Sequence, residues 1–92
     1  MQVTLCQLQQ ITSLEQFYDE ISRQLHLPAH FGRNLDALYD SLSGDVSGPF
    51  EIVWRDTELS RQKLGADVYA TVLEILQSVA EERGDVTLDI HH

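Results

Sequence analysis

The sequence predicts an α/β fold, a small three-stranded parallel sheet packed with three to four helices, in a single domain spanning residues 1–92. Three observations carry this reading. Short β-patterned runs occupy residues 2–8, 50–55 and 86–90. Stretches of helical period separate them, so successive strands are joined by crossovers and run parallel. No repeat, linker or low-complexity segment divides the 92 residues, a length that builds one core but not a large one.

Gln2–Leu8 (QVTLCQL) is short, β-branched at two positions and apolar on both faces. Such a run suits a strand buried between neighbours, which places it at the centre of the sheet. Thr12 or Ser13 opens the first helix, with Ser13-x-x-Gln16 or Thr12-x-x-Glu15 as its capping box. Leu14, Phe17, Tyr18, Ile21 and Leu25 follow at helical spacing. Pro28 ends this helix, because the residue before a proline is pushed out of the helical region.

Leu27 to Asp45 (LPAHFGRNLDALYDSLSGD) reads as a loop, one amphipathic helix and a glycine stop. Asn34 serves as N-cap, its side chain accepting an orphan backbone N–H. Leu35, Leu38, Tyr39 and Leu42 recur at i, i+3, i+4 and i+7 and form the buried face. Gly44 suits the left-handed position that closes a helix. In Phe50–Arg55 (FEIVWR), Phe50, Ile52 and Trp54 alternate as in a half-buried strand. Asp56 to Lys63 is polar and fits a short helix or a turn. From Gly65 to Arg83 the period is helical, with Val68, Tyr69, Val72, Ile75, Leu76 and Val79 as the inner stripe and Gly84 as the stop. Val86–Ile90 alternates again as the last strand.

Composition narrows the function. Apolar residues make up 42%, which excludes disorder on compositional grounds. Fifteen acids against six bases give a net charge of −9. That disfavours direct nucleic-acid binding and anionic membranes, and favours a basic partner, whose encounter a field of opposite sign accelerates. Cys6 is the single cysteine, so no internal disulfide forms, and its apolar strand marks it as an inert buried thiol. The chain has no basic leader followed by an apolar stretch and no run long enough to span a bilayer, so a cytoplasmic location is expected. His91 and His92 are not read as a metal site.

The acids are placed unusually. Asp36 and Asp40, four apart, project together from a face other than the buried one. Asp36 lies in the first turn, where the helix dipole favours it, but Asp40 is near the last turn and Asp45 just beyond. No Lys or Arg follows Arg33 until Arg55, so nothing local neutralises that end. A helix that breaks a local rule without compensation points to function there. Catalysis is not the reading: one helix turn sets the two carboxylates on a convex surface, not flanking a cleft. No phosphate loop, nucleophile elbow or calcium-loop spacing occurs, and Ser41 and Ser43 have no histidine positioned to activate them. Neither cofactor nor metal is expected.

Leu27-Pro28-Ala29-His30-Phe31-Gly32-Arg33-Asn34-Leu35-Asp36-Ala37-Leu38-Tyr39-Asp40 closely resembles the signature of the barstar family, intracellular inhibitors of small secreted ribonucleases of the barnase type. The strand ending Trp54-Arg55, the order of the helices and the length extend the resemblance over essentially the whole chain. It implies a barstar-like fold and a monomer that inserts this helix and its preceding loop into a basic ribonuclease, with acids standing in for RNA phosphates. Matched by position, Asp40 is the principal phosphate mimic and Asp36 pairs with a base at the rim. His30 stands where the family has an aromatic loop contact, and Tyr39 matches an aromatic contact on the helix. Asn34 is the capping asparagine of the motif, and Gly44 matches a glycine whose small size permits close approach. Asp45 replaces an aromatic residue. The family's further acid on the last helix falls here at Ser78 or Val79, with Glu74, Glu81 and Glu82 nearby but out of register. The same features admit an alternative, a module of this fold that binds a different basic protein without inhibiting a ribonuclease.

Overall fold

The computed structural model describes residues 2–29 and 31–92. Strand β1 (Thr4–Leu8) leads to helix α1 (Leu14–Leu25). Helix α2 (Leu35–Asp40) runs directly into a π-helical turn, Ser41–Asp45. Then come β2 (Phe50–Trp54), α3 (Thr57–Leu64), α4 (Ala66–Arg83) and β3 (Val86–Ile90). The three strands form one parallel sheet in the order β1-β2-β3, in register from Thr4↔Phe50↔Val86 to Leu8↔Trp54↔Ile90.

The central strand is β2, not β1 as the apolar pattern of Gln2–Leu8 suggested. Cys6 and Leu8 of β1 point into the core, but Val3 and Leu5 are 54% and 46% exposed. Apolar residues on both sides of a strand do not guarantee that both sides are covered. In β2, Phe50, Ile52 and Trp54 face the core, and Val53, on the opposite face, is buried too. Val53 is flanked in register by Gln7 and Asp89, so the neighbouring strands shelter it. The half-buried expectation for β2 is corrected accordingly. Leu5, Gln7, Thr87 and Asp89 are exposed or half-exposed on the second face, which leaves that side of the sheet largely to solvent.

As an edge strand, β1 would present unpaired backbone groups. At Gln7 they are occupied: the Gln24 side chain of α1 accepts the Gln7 N–H at 2.7 Å and donates to its carbonyl at 2.8 Å. One amide thus takes the place of a fourth strand.

Local signals explain the helix ends. Ser13 caps α1, its Oγ accepting the Gln16 N–H at 3.1 Å, while Gln16 Oε1 accepts the Thr12 N–H at 2.8 Å. Of the two candidate openings the cap is therefore Ser13 with Gln16, and Gln16, not Glu15, takes the Thr12 amide. The helix closes before Pro28, at His26, whose left-handed backbone (φ 56°) turns the following Leu27 amide back onto the Ser22 carbonyl at 3.1 Å. The polar stretch after β2 forms helix α3, and Gly84 closes α4 with φ 78°. Trp54 is fully buried at the centre, 5.3 Å from the rings of both Phe17 and Tyr69, with its Nε1–H donating to Ser60 Oγ at 3.3 Å. Burial pushes the Cys6 thiol up to about 12, so it stays protonated at neutral pH. Among the described residues no helix is long and apolar enough to cross a membrane.

Candidate functional site

The loop before α2 is held against α1. The Phe31 amide donates to the Pro28 carbonyl at 2.9 Å, and the Phe31 ring meets Tyr18 edge-on at 5.8 Å. Arg33 has a left-handed backbone (φ 53°), and its guanidinium turns away from α2 to Asp19 at 2.8 Å and over the Tyr18 ring. The base nearest in sequence to the acidic helix is thus engaged elsewhere. Asn34 caps α2 as expected, accepting the Ala37 N–H on Oδ1 at 2.8 Å and donating from Nδ2 to the Gly32 carbonyl at 3.3 Å. A Cβ on Gly32 would lie 3.2 Å from Asn34 Nδ2 and 3.3 Å from the Ala37 methyl, so the glycine leaves room for the cap.

Helix α2 buries Leu38 completely and sets Asp36 and Asp40 on its exposed side, with Leu35 and Tyr39 half-buried between. Facing it, α4 presents Ile75, Ser78 and Glu82 at i, i+3 and i+7. These residues, with Leu35, Asp36, Tyr39 and Asp40, line one open groove between the two helices. The Tyr39 hydroxyl donates to the Glu82 carboxylate across it. That bond holds the Tyr39 pKa above its usual value, with the Glu82 and Asp40 charges reinforcing it.

Among the described residues, no ion pair involves Asp36, Asp40, Asp45 or Glu82. Nor do any three His, Cys, Asp or Glu side chains among them converge as metal ligands. What the groove offers is acceptors: three carboxylates on two elements, each with lone pairs for a cationic donor.

The structure therefore brings Asp36, Tyr39 and Asp40 together and keeps Asp45 apart, in a second recess beside Thr4, His26 and Ser47. Gly44 is not left-handed. It lies inside the π-helical turn, which closes by the Val46 N–H reaching the Ser41 carbonyl at 3.2 Å, and a Cβ there would meet nothing within 4 Å. His30 lies outside the described residues. Sequence reasoning set Glu82 aside as out of register. The signal that finds it is the Ile75–Ser78–Glu82 spacing, which marks one face of α4. Sequence reasoning also did not find Arg83, which comes from α4 to the carbonyls of Leu42 and Val46 at the end of α2 but pairs its charge with Asp85, not with Asp40 or Asp45.

Comparison with known proteins adds two findings. The family model described as Barstar (barnase inhibitor) matches residues 1–91. A protein of Bacillus subtilis (strain 168) named "Putative ribonuclease inhibitor YrdF" is 40% identical over 74 residues, covering 79% of this chain and 79% of that one.

Proposed function

This chain belongs to the barstar family, and on that premise we propose that it inhibits a small basic ribonuclease by blocking the active site. Its acidic helix α2 and the preceding loop stand in for RNA. The observation that carries this reading is the groove itself, where Asp36 and Asp40 of α2 and Glu82 of α4 share one face with no cation paired to them among the described residues. A catalytic pocket built for phosphates supplies the missing cations. On docking, water leaves, and each carboxylate exchanges hydration for charge-assisted hydrogen bonds in a medium of lower dielectric. Asp40 sits centrally and acts as the phosphate mimic, and Asp36 pairs at the rim. Tyr39 contributes its ring and holds Glu82 by its hydroxyl. Asn34 fixes the first turn, His30 and the exposed Gly44 and Asp45 border the contact, and the free chain is a monomer. In this reading the chain performs no catalysis and needs no cofactor.

A second reading is a module of the same fold that binds another basic protein. It is favoured by Ser78, a hydroxyl at the groove position where the family resemblance leads one to look for an acid. Titrating a guanyl-specific ribonuclease of the barnase type with this protein separates the two. Stoichiometric inhibition, relieved by a mononucleotide that competes for the active site, is the expected result. Binding that a nucleotide does not displace selects the module, and absence of inhibition overturns the inhibitor.

A further inference from the structure

Helix α2 is short, six residues, and continues as a five-residue π-helical turn that carries its acidic end. A helix this short does not hold its own shape in water, and π-wound turns are rare and cluster at functional sites. Its last carbonyls also lack intrahelical partners. Leu42 anchors this turn in the core, and two carbonyls at its end are met from outside the helix by Arg83, the last residue of α4.

The Arg83 side chain is only 16% exposed. Its Nη1 donates to two carbonyls of the α2 end, Leu42 at 2.9 Å and Val46 at 2.7 Å. Its Nε and Nη2 donate to the two oxygens of Asp85, each at 3.0 Å. The guanidinium also lies 5.1 Å from the centre of the Phe50 ring. Four donors of one rigid fork thus join the π-helical turn to the start of β3. Gly48 completes the arrangement, since a Cβ there would fall 1.9 Å from Asp85 Oδ2 and 2.8 Å from Arg83 Nη2. A lysine carries the same charge but cannot reproduce a planar fork with four aimed donors.

We infer that Arg83 is a positioning residue for the acidic face: by fixing the turn Ser41–Asp45 it sets where Asp40 points relative to Glu82, and so the lifetime of the complex with a basic partner. The part concerning the complex rests on the inhibitor reading; the part concerning the turn does not. Charge and position here predict opposite signs. Removing Arg83 makes a net charge of −9 one unit more negative, which by steering alone speeds association with a cation and tightens binding. Loss of position instead speeds dissociation.

The test uses the whole chain as Arg83→Gln and Arg83→Lys, read two ways. In the free protein, amide exchange at Val46 is expected to rise about tenfold in both variants, while Ile52 in the central strand keeps the wild-type rate. With a barnase-type ribonuclease, the dissociation rate is expected to rise about tenfold and the association rate to hold or increase. Equal acceleration at Val46 and Ile52, or none at Val46, overturns the inference, because Arg83 then supports the fold generally or not at all. A lysine variant indistinguishable from wild type overturns it too, since charge and not the fork would then suffice. An unchanged dissociation rate with a loosened turn refutes the link to the partner. Should the wild-type chain fail to bind the enzyme, the inhibitor reading falls, and the exchange measurement still decides whether Arg83 sets the turn.

Discussion

At the scale of residues, the groove separates side chains that serve the fold from exposed carboxylates that form no ion pair among the described residues. Asn34 and Gly32 serve the first turn of α2, and Arg33 is engaged by α1. Asp40 is exposed and makes no ion pair among the described residues, so the fold gains little from it. Asp40→Ala should leave the melting temperature nearly unchanged and weaken ribonuclease binding by about 2–5 kcal/mol, the range for truncating one member of a buried interfacial charge pair, barnase–barstar complexes among the reference cases. Titration calorimetry beside thermal melting checks both halves, and a tight complex of this variant would sink the assignment of Asp40. Cys6 gives a prediction in pH. Its folded pKa is raised from 9.0 to about 12, so the protonated thiol favours the folded state. The associated stability is complete below pH 9.0 and is lost as pH rises from 9.0 toward about 12, at most at about 1.4 kcal/mol per pH unit. Urea unfolding at a series of alkaline pH values should show this loss in the wild type, and a flatter profile in Cys6→Ala.

At the scale of elements, two packing arrangements position the site. Tyr39 ties α2 to α4 through Glu82. Tyr39→Phe keeps the ring and frees the carboxylate, so stability at neutral pH should drop only slightly, because water replaces an exposed hydrogen bond. The alkaline loss of stability due to Tyr39 should vanish with it: a raised phenol pKa stabilises the fold below the unfolded value of 10.0 and is lost above it. Comparing urea midpoints of the two proteins at neutral and alkaline pH checks this. The second arrangement is the edge of β1. Replacing Gln24 by alanine leaves the outward N–H and C=O of Gln7 to water, which should cost about 1–2 kcal/mol. The Gln7 amide should then exchange faster than those of β2, as two-dimensional NMR would read directly. Protection of Gln7 unchanged in this variant would mean that the amide bridge contributes nothing to the edge.

At the scale of the molecule, the charge of −9 acts on encounter and not on fold. Exposed carboxylates are screened over about 8–10 Å at ordinary ionic strength. Raising salt from low to moderate should therefore slow association with a basic ribonuclease severalfold while changing dissociation less, because the docked charge pairs are shielded from ions. Stopped-flow rates across a salt series test this. An association rate indifferent to salt would argue that the acidic face is not what meets the enzyme.

Much of this protein was legible in its sequence. Helical and strand periods placed the elements of the α/β fold, the last strand Val86–Ile90 to the residue, and the Asn34 cap and the Asp36–Asp40 pair are local features that spacing alone specifies. These depend on contacts within a few residues, where backbone geometry is regular and a pattern maps directly onto a face. What required the tertiary structure are contacts between distant segments. The apolar pattern of β1 could not say that its second face meets solvent, because burial depends on which elements pack there. Glu82 enters the groove only because α4 lies against α2, and Gly44, expected as a left-handed stop, lies in a π-helical turn whose end meets Arg83 from α4. Periodicity reports the face a residue occupies on its own element; only packing decides which other face it meets.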